Sequence, residues 1–244
     1  MTTTATSFQT SDSVGAIVTR KPALARIFEQ AGIDYCCGGK KSLEAACREK
    51  GLDPQKVLAQ LEAAAAVATG GGGVDAAKMT LTELADHIQT THHAYLKAEL
   101  PRLEAMTKKV AAVHGEHDPR LPQVKEVYLG MAWELKEHTL KEEQVLFPMI
   151  RELDAAASTP AFHCGSLAAP IRAMELEHDS AGGAIEKIRE LTDGFTPPEW
   201  ACNTYRAMLD ALALFERDLH QHVHKENNIL FPRAIQMEEA KRAA

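Results

Sequence analysis

One eleven-residue frame occurs twice in this chain and restricts its fold more than any other feature. HTLKEEQVLFP, from His138 to Pro148, aligns without gaps with HVHKENNILFP, from His222 to Pro232. Histidine, lysine, glutamate, leucine, phenylalanine and proline coincide, and Val145 pairs with Ile229. A further histidine precedes each copy at nearly the same distance: His93 lies 45 residues before His138, and His178 lies 44 before His222. Such a repeat reads as two helical hairpins, each with one histidine on its first helix and His-x-x-x-Glu on its second.

The spacing has a chemical consequence. Four residues along an α-helix advance it by about 6 Å and turn it roughly 40° past a full revolution, so both side chains leave one face. Turned into a four-helix bundle, the repeat supplies the imidazoles of His93, His138, His178 and His222 and the carboxylates of Glu142 and Glu226. One carboxylate from each paired helix can bridge two metal ions that divide the imidazoles between them. Such mixed ligation suits redox-active iron, and manganese or zinc also match by ligand type. Six such groups buried without a metal would be costly to desolvate.

A single His/Glu pair at this spacing is ordinarily a surface ion pair. Two copies in one frame, each with a third histidine at a matching distance, set that reading aside. Leu146, Phe147, Leu230 and Phe231 are read as core, and Pro148 and Pro232 as bends ending the ligand helices. His220 and His224 fall on the face opposite His222, and His92 is turned away from His93. His114, His117 and His163 fall in expected loops.

Punctuation divides the chain. Residues 12–67 read as a small domain of short helices: Pro22 opens one that ends before Gly32, Ser42 caps another that stops at Gly51, and Asp53-Pro54 starts a third. Residues 68–78, with glycines 70–73, read as a flexible linker. Residues 79–240 read as four long helices with modest connections, the pattern of an antiparallel bundle. The expected fold is therefore all-α: an up-down four-helix bundle with a small N-terminal helical domain. Scarce aromatics, 5% of the chain, agree with packed helices.

A net charge of −7 argues against nucleic acid or anionic lipid as the main partner. No stretch is apolar enough to span a bilayer, and the polar N-terminus does not look like a secretory signal. Five cysteines, an odd number, are expected to stay reduced in a cytoplasm.

Taken together, Asp34-Tyr35-Cys36-Cys37-Gly38-Gly39-Lys40, His93, HTLKEEQVLFP, Glu177-His178-Asp179 and HVHKENNILFPR resemble the iron–sulfur cluster repair di-iron proteins, the repair-of-iron-centres or ScdA-type family. The resemblance runs from about Val14 to Ala234, and ordinary hemerythrins lack the DYCCGG segment. It implies a hemerythrin-like bundle with two iron ions in an oxo- and carboxylate-bridged centre. The ligands would be His93, His138, Glu142, His178, His222 and Glu226, with the two glutamates bridging. It also implies a cytoplasmic stress-response protein that restores iron–sulfur clusters damaged by nitric oxide or oxidants, by donating iron or binding nitric oxide. The alternatives are a nitric oxide or oxygen sensor or scavenger and a nitric oxide reductase. Damaged iron–sulfur proteins are the expected partners, with nitric oxide or oxygen as small ligand, and a homodimer is compatible. An oxygen-carrying hemerythrin would add a histidine one turn from His178, where this chain has Met174 and Gly182; six protein ligands leave a position open for a small molecule.

Two further sets of residues invite roles. Glu134, one turn before His138, and Glu177, beside His178, could orient a ligand imidazole or mark an exit route for iron. Cys36 and Cys37 are too cramped to pair with one another. Their glycine-flanked loop is expected to expose the thiols, and Lys40 and Lys41 to favour the thiolate. They are candidates for handling iron, nitric oxide or electrons exchanged with the bundle.

Overall fold

A computed structural model describes residues 8–67 and 75–243; glycines 70–73 lie outside the described residues. Among the described residues every regular element is helical, and the one β-type contact is an isolated bridge between Ser13 and Ser42. The chain divides into two compact units. The first is Met1–Met79 with Val223–Arg233, and the second is Thr80–His222 with Ala234–Ala244. Sequence punctuation alone did not show that a segment of the last long helix belongs with the N-terminal unit.

In the first unit, α1 (Val14–Arg20) starts where the Ser13 hydroxyl accepts from the Ala16 N–H. A 3-10 turn at Pro22–Leu24 leads into α2 (Ala25–Ala31), which stops at Gly32 with φ 64°, the left-handed cap that glycine adopts without strain. Ser42 caps α3 (Leu43–Glu49) by accepting from Ala45, and α4 (Pro54–Val67) follows with Asp53 accepting from Gln55. Ile17, Leu24, Phe28, Tyr35, Leu43 and Leu61 close the core. Each such side chain, taken fully out of water, contributes about 1.5–3 kcal/mol, and this burial holds the short helices together.

The second unit opens with a capping box: Thr80 accepts from the Glu83 N–H and Glu83 accepts from the Thr80 N–H, starting α5 (Leu81–Ile88). A π-helical turn at Gln89–His93 leads into α6 (Ala94–His114), which runs through Pro101 unbroken. The second rod is α7 (Arg120–Lys141), a π-turn at Glu142–Leu146 and α8 (Phe147–Ala155). The third is α9 (Ala168–Leu191), followed by Gly194 at φ 68°. The fourth is α10 (Asn203–Lys225), a π-turn at Glu226–Leu230 and α11 (Phe231–Ala243), whose segment Val223–Arg233 groups with the first unit; it starts five residues beyond Pro198. Within this unit α7 packs against α6 and α9, and α5 against α8. Apolar residues such as Leu84, Leu103, Tyr128, Ile150, Ile188 and Phe215 form the seam, and the Tyr128 hydroxyl donates to the Leu100 carbonyl at 3.0 Å.

Pro148 and Pro232 do not end the ligand helices, which continue to Ala155 and Ala243. The widened turn before each proline explains why. The Phe147 N–H donates to the Glu142 carbonyl and the Phe231 N–H to the Glu226 carbonyl, each across five residues. Each proline then occupies a helix start, where a missing N–H costs little.

Candidate metal centre

The three π-turns sit at the chemistry. One ends at His93, one begins at Glu142 and one begins at Glu226. A π-turn inserts one residue into a helical turn and re-aims the side chains around it, and such turns concentrate at functional sites. Helical spacing alone does not reveal them.

Six side chains converge. His93, Glu142, His222 and Glu226 form one set of metal-competent groups, and His138, Glu142, His178 and Glu226 form another; the ligand atoms within each set lie within 4.8 Å of one another. Glu142 and Glu226 belong to both sets, so the arrangement is two imidazoles per set joined by two shared carboxylates. Glu142 Oε2 lies 3.3 Å from the Nε2 atoms of both His93 and His138. The imidazoles also meet in pairs, His93 Nε2 with His222 Nε2 at 3.2 Å and His138 Nε2 with His178 Nε2 at 3.0 Å.

Burial narrows what these groups can do. Glu142 and Glu226 are 0% exposed, and the four histidines are at most 2% exposed. Two carboxylates at that depth are stabilised by cations in their midst, and the imidazoles serve that role best as neutral nitrogen donors to a metal. Nitrogen and oxygen donors without sulfur fit iron, manganese or zinc.

An outer layer fixes the tautomers. His93 Nδ1–H donates to Glu143 Oε1 at 3.0 Å, and His138 Nδ1–H donates to Glu177 Oε2 at 2.9 Å. With the proton held at Nδ1, Nε2 presents its lone pair to the centre. Each outer carboxylate is held in turn by a lysine. Lys97 Nζ donates to both Glu143 oxygens at 2.8 Å, and Lys141 Nζ donates to Glu177 Oε1. Burial pushes both carboxyls up, but the lysine and histidine donors outweigh it and hold Glu143 and Glu177 below the usual glutamate range, ionised at neutral pH.

The sequence-derived candidates thus part company. Glu177 contacts His138 rather than its neighbour His178. Glu134 lies at the surface, where the Ser180 hydroxyl donates to its Oε2 at 3.0 Å, so the one-turn offset from His138 does not bring it to the centre. Glu143 was missed, although its place beside Glu142 in the repeat was a signal. His92 proves to be buried: its Nδ1 donates to Asp218 Oδ1 at 2.9 Å, and its ring lies 5.4 Å from that of His222 at 6°. His224 is also buried, and burial drives its pKa down to about 4.

Cys36 and Cys37 differ from expectation as well. Neither is in a disulfide, but Cys36 is buried and Cys37 half-buried. Lys41 is engaged by Glu49 at 2.7 Å. The thiol of Cys36 is pushed up by its hydrogen bond to Cys37, by burial and by the nearby Asp34, so Cys36 rests as a thiol rather than a thiolate. The glycines permit close packing rather than exposure: a Cβ on Gly39 would stand 2.2 Å from Asn228 Oδ1 and 2.7 Å from the Tyr35 carbonyl.

Comparison with known proteins matches this geometry. Residues 84–234 match the hemerythrin HHE cation binding domain, and residues 10–65 match the ScdA_N domain, a domain of unknown function. The iron-sulfur cluster repair protein YtfE of Yersinia pseudotuberculosis is 39% identical over 230 residues, covering 93% of this chain and 98% of its own. The chain belongs to this iron–sulfur cluster repair family. The protein of the same name from Pectobacterium atrosepticum is 37% identical over 226 residues, covering 93% of this chain and 97% of its own. Membership accounts for the cation-binding bundle and for the N-terminal unit that precedes it. Among the described residues no helix is long and apolar enough to cross a membrane.

Proposed function

We propose that the chain holds two iron ions through His93, His138, Glu142, His178, His222 and Glu226, and that it serves the repair of iron–sulfur clusters damaged by nitric oxide or oxidants. The observation that carries this reading is the pair of ligand sets sharing Glu142 and Glu226. Two bound irons would supply one-electron redox chemistry and an open coordination position for a small molecule. His93 and His222 would hold one iron, His138 and His178 the other, and the two glutamates would touch both. Glu143 and Glu177 keep the Nδ1 protons of His93 and His138 in place, and the buried apolar seam keeps bulk water out. The work belongs in a reducing cytoplasm, where the five cysteines, none of them in a disulfide, would persist as thiols. Two folded regions joined through residues 68–78 are part of the same reading.

Anaerobic nitric oxide given to the reduced iron-loaded protein, with gas and iron both followed, tests the role. Iron transfer to an apo-cluster protein supports repair by donation. Stoichiometric nitrosylation without transfer points to a binding or scavenging protein, and nitrous oxide turnover to a reductase. Protein that holds no iron would overturn the reading.

A further inference from the structure

The first unit carries a second group of metal-competent side chains that the bundle does not use. Asp34, Cys36 and Cys37 place their ligand atoms within 4.8 Å of one another. The two sulfurs are 4.0 Å apart, and Cys36 Sγ is 3.1 Å from Asp34 Oδ1. A disulfide needs the sulfurs at about 2.05 Å, which adjacent residues reach only with distortion. Two thiolates on one tetrahedral ion, each bonded at about 2.3 Å, stand roughly 3.8 Å apart. The observed separation is close to the second value and far from the first.

The loop holds these atoms in place. The N–H groups of Cys36 and Cys37 donate to Asp34 Oδ1 at 2.9 and 3.0 Å, and that of Gly38 donates to Oδ2 at 2.8 Å. Asn228 Nδ2 donates to the Cys36 carbonyl at 2.9 Å, and His224 Nδ1 lies 3.3 Å from the Tyr35 carbonyl. Gly15 and Gly39 leave just the room Asn228 needs. The cluster is also graded in depth: Cys36 is buried, Cys37 half-buried and Asp34 exposed. An ion could enter past the carboxylate and reach the thiols, whereas a plain apolar cysteine pair would have no use for a carboxylate locked against a buried sulfur.

We propose that Asp34, Cys36 and Cys37 form a separate, labile site for one thiophilic divalent cation, bound by two thiolates and one carboxylate with the remaining position open to solvent. Binding exchanges protons for metal: the divalent ion displaces one proton from each thiol, two protons pass to water, and no electron moves. Asp34 is exposed and Cys37 half-buried, so the ion has a short path to solvent and the site exchanges readily. That the natural occupant is ferrous iron rests on the function proposed above; the existence of the site does not.

The test uses the full-length, iron-loaded protein without oxygen, in a Cys164→Ser/Cys202→Ser background that removes the two exposed cysteines. Titration with cobalt(II) should give a sulfur-to-cobalt charge-transfer band saturating at one ion per chain, with two protons released per ion. Adding Cys36→Ser and Cys37→Ser should abolish the band while the bundle keeps its iron. Asp34→Asn keeps an acceptor for the loop N–H groups and should weaken cobalt binding at least tenfold with the band retained. If the double serine variant fails to fold, Cys37→Ser alone, at the half-buried position, should still lose the two-thiolate spectrum. Absence of a band in the parent, or an unchanged band in the serine variants, overturns the site; loss of bundle iron from the parent would count against the proposed function instead.

Discussion

Replacing the outer carboxylates one at a time should loosen the two halves of the metal centre separately. Glu143 serves His93, in the set completed by His222, and Glu177 serves His138, in the set completed by His178. Glutamine at either position keeps the shape and an acceptor oxygen but removes the charge that holds the Nδ1 proton and the lysine. A charge-assisted hydrogen bond contributes about 1.5–3 kcal/mol, and loss of an outer partner of a metal-bound histidine typically weakens metal affinity ~10–100-fold. Position within that range follows from exposure. The Glu143 side chain is 15% exposed and receives both of its lysine contacts at 2.8 Å, whereas that of Glu177 is 34% exposed and more screened by water. Glu143→Gln should therefore speed release of one iron per chain by ~30–100-fold, and Glu177→Gln that of the other by ~10-fold. Chelator-driven iron release, followed by absorption and by iron content, should turn biphasic in each variant and fast for both irons in the double variant. Parent-like kinetics in both single variants, or equal loosening of both irons by Glu177→Gln, would refute the assignment of one carboxylate to each half.

Alanine at Glu142 or Glu226 should abolish binding of both irons, whereas alanine at His93 or His178 should impair chiefly one, and iron content per chain after anaerobic loading reads the difference. Glu134→Gln should leave iron content and release rate at the parent values, since the side chain stands at the surface beside Ser180. Gly39→Ala forces a Cβ against Asn228 and the Tyr35 carbonyl, and should lower the denaturation free energy by ~1–3 kcal/mol, measured by denaturant titration. His224 is held neutral by burial, with its pKa lowered from 6.5 to about 4. The unfolded chain binds this proton more readily, so the contribution is complete above pH 6.5 and is lost as pH falls toward 4; metal-free His224→Gln should lack this component, about 3 kcal/mol, in its pH–stability slope.

The convergence of the six candidate ligands was legible because it depends on spacing. His138 and Glu142, like His222 and Glu226, share a face at four residues apart, and the repetition of a whole frame removed the ambiguity of a single pair. The cap at Ser42 was legible for a local reason: its hydroxyl satisfies an N–H three residues away. What escaped depended on partners distant in sequence. Glu143 and His93 are 50 residues apart, and His92 and Asp218 are 126 apart, so no local pattern marks them as pairs. The placement of Cys36 was misjudged because its glycines looked like freedom to turn, when they provide clearance for Asn228, 192 residues from that cysteine.

The π-turns show most clearly where local reasoning stops. Pro148 and Pro232 were read as bends ending the ligand helices, because each lacks an N–H and crowds the carbonyl four residues back. An ordinary helix would indeed have ended there. The chain instead widens the preceding turn, so that the Glu142 and Glu226 carbonyls bond five residues on, and the helix restarts with proline in its first turn. The proline and the shared glutamate are thus coupled: the widened turn that accommodates the proline begins at the carboxylate and sets the direction in which it leaves the helix. His93 ends a π-turn of its own without any nearby proline, the closest being Pro101. Among the described residues the widened turn therefore accompanies a metal-competent side chain in all three cases and a proline in two, which makes the aim of that side chain, rather than tolerance of proline, the common physical cause.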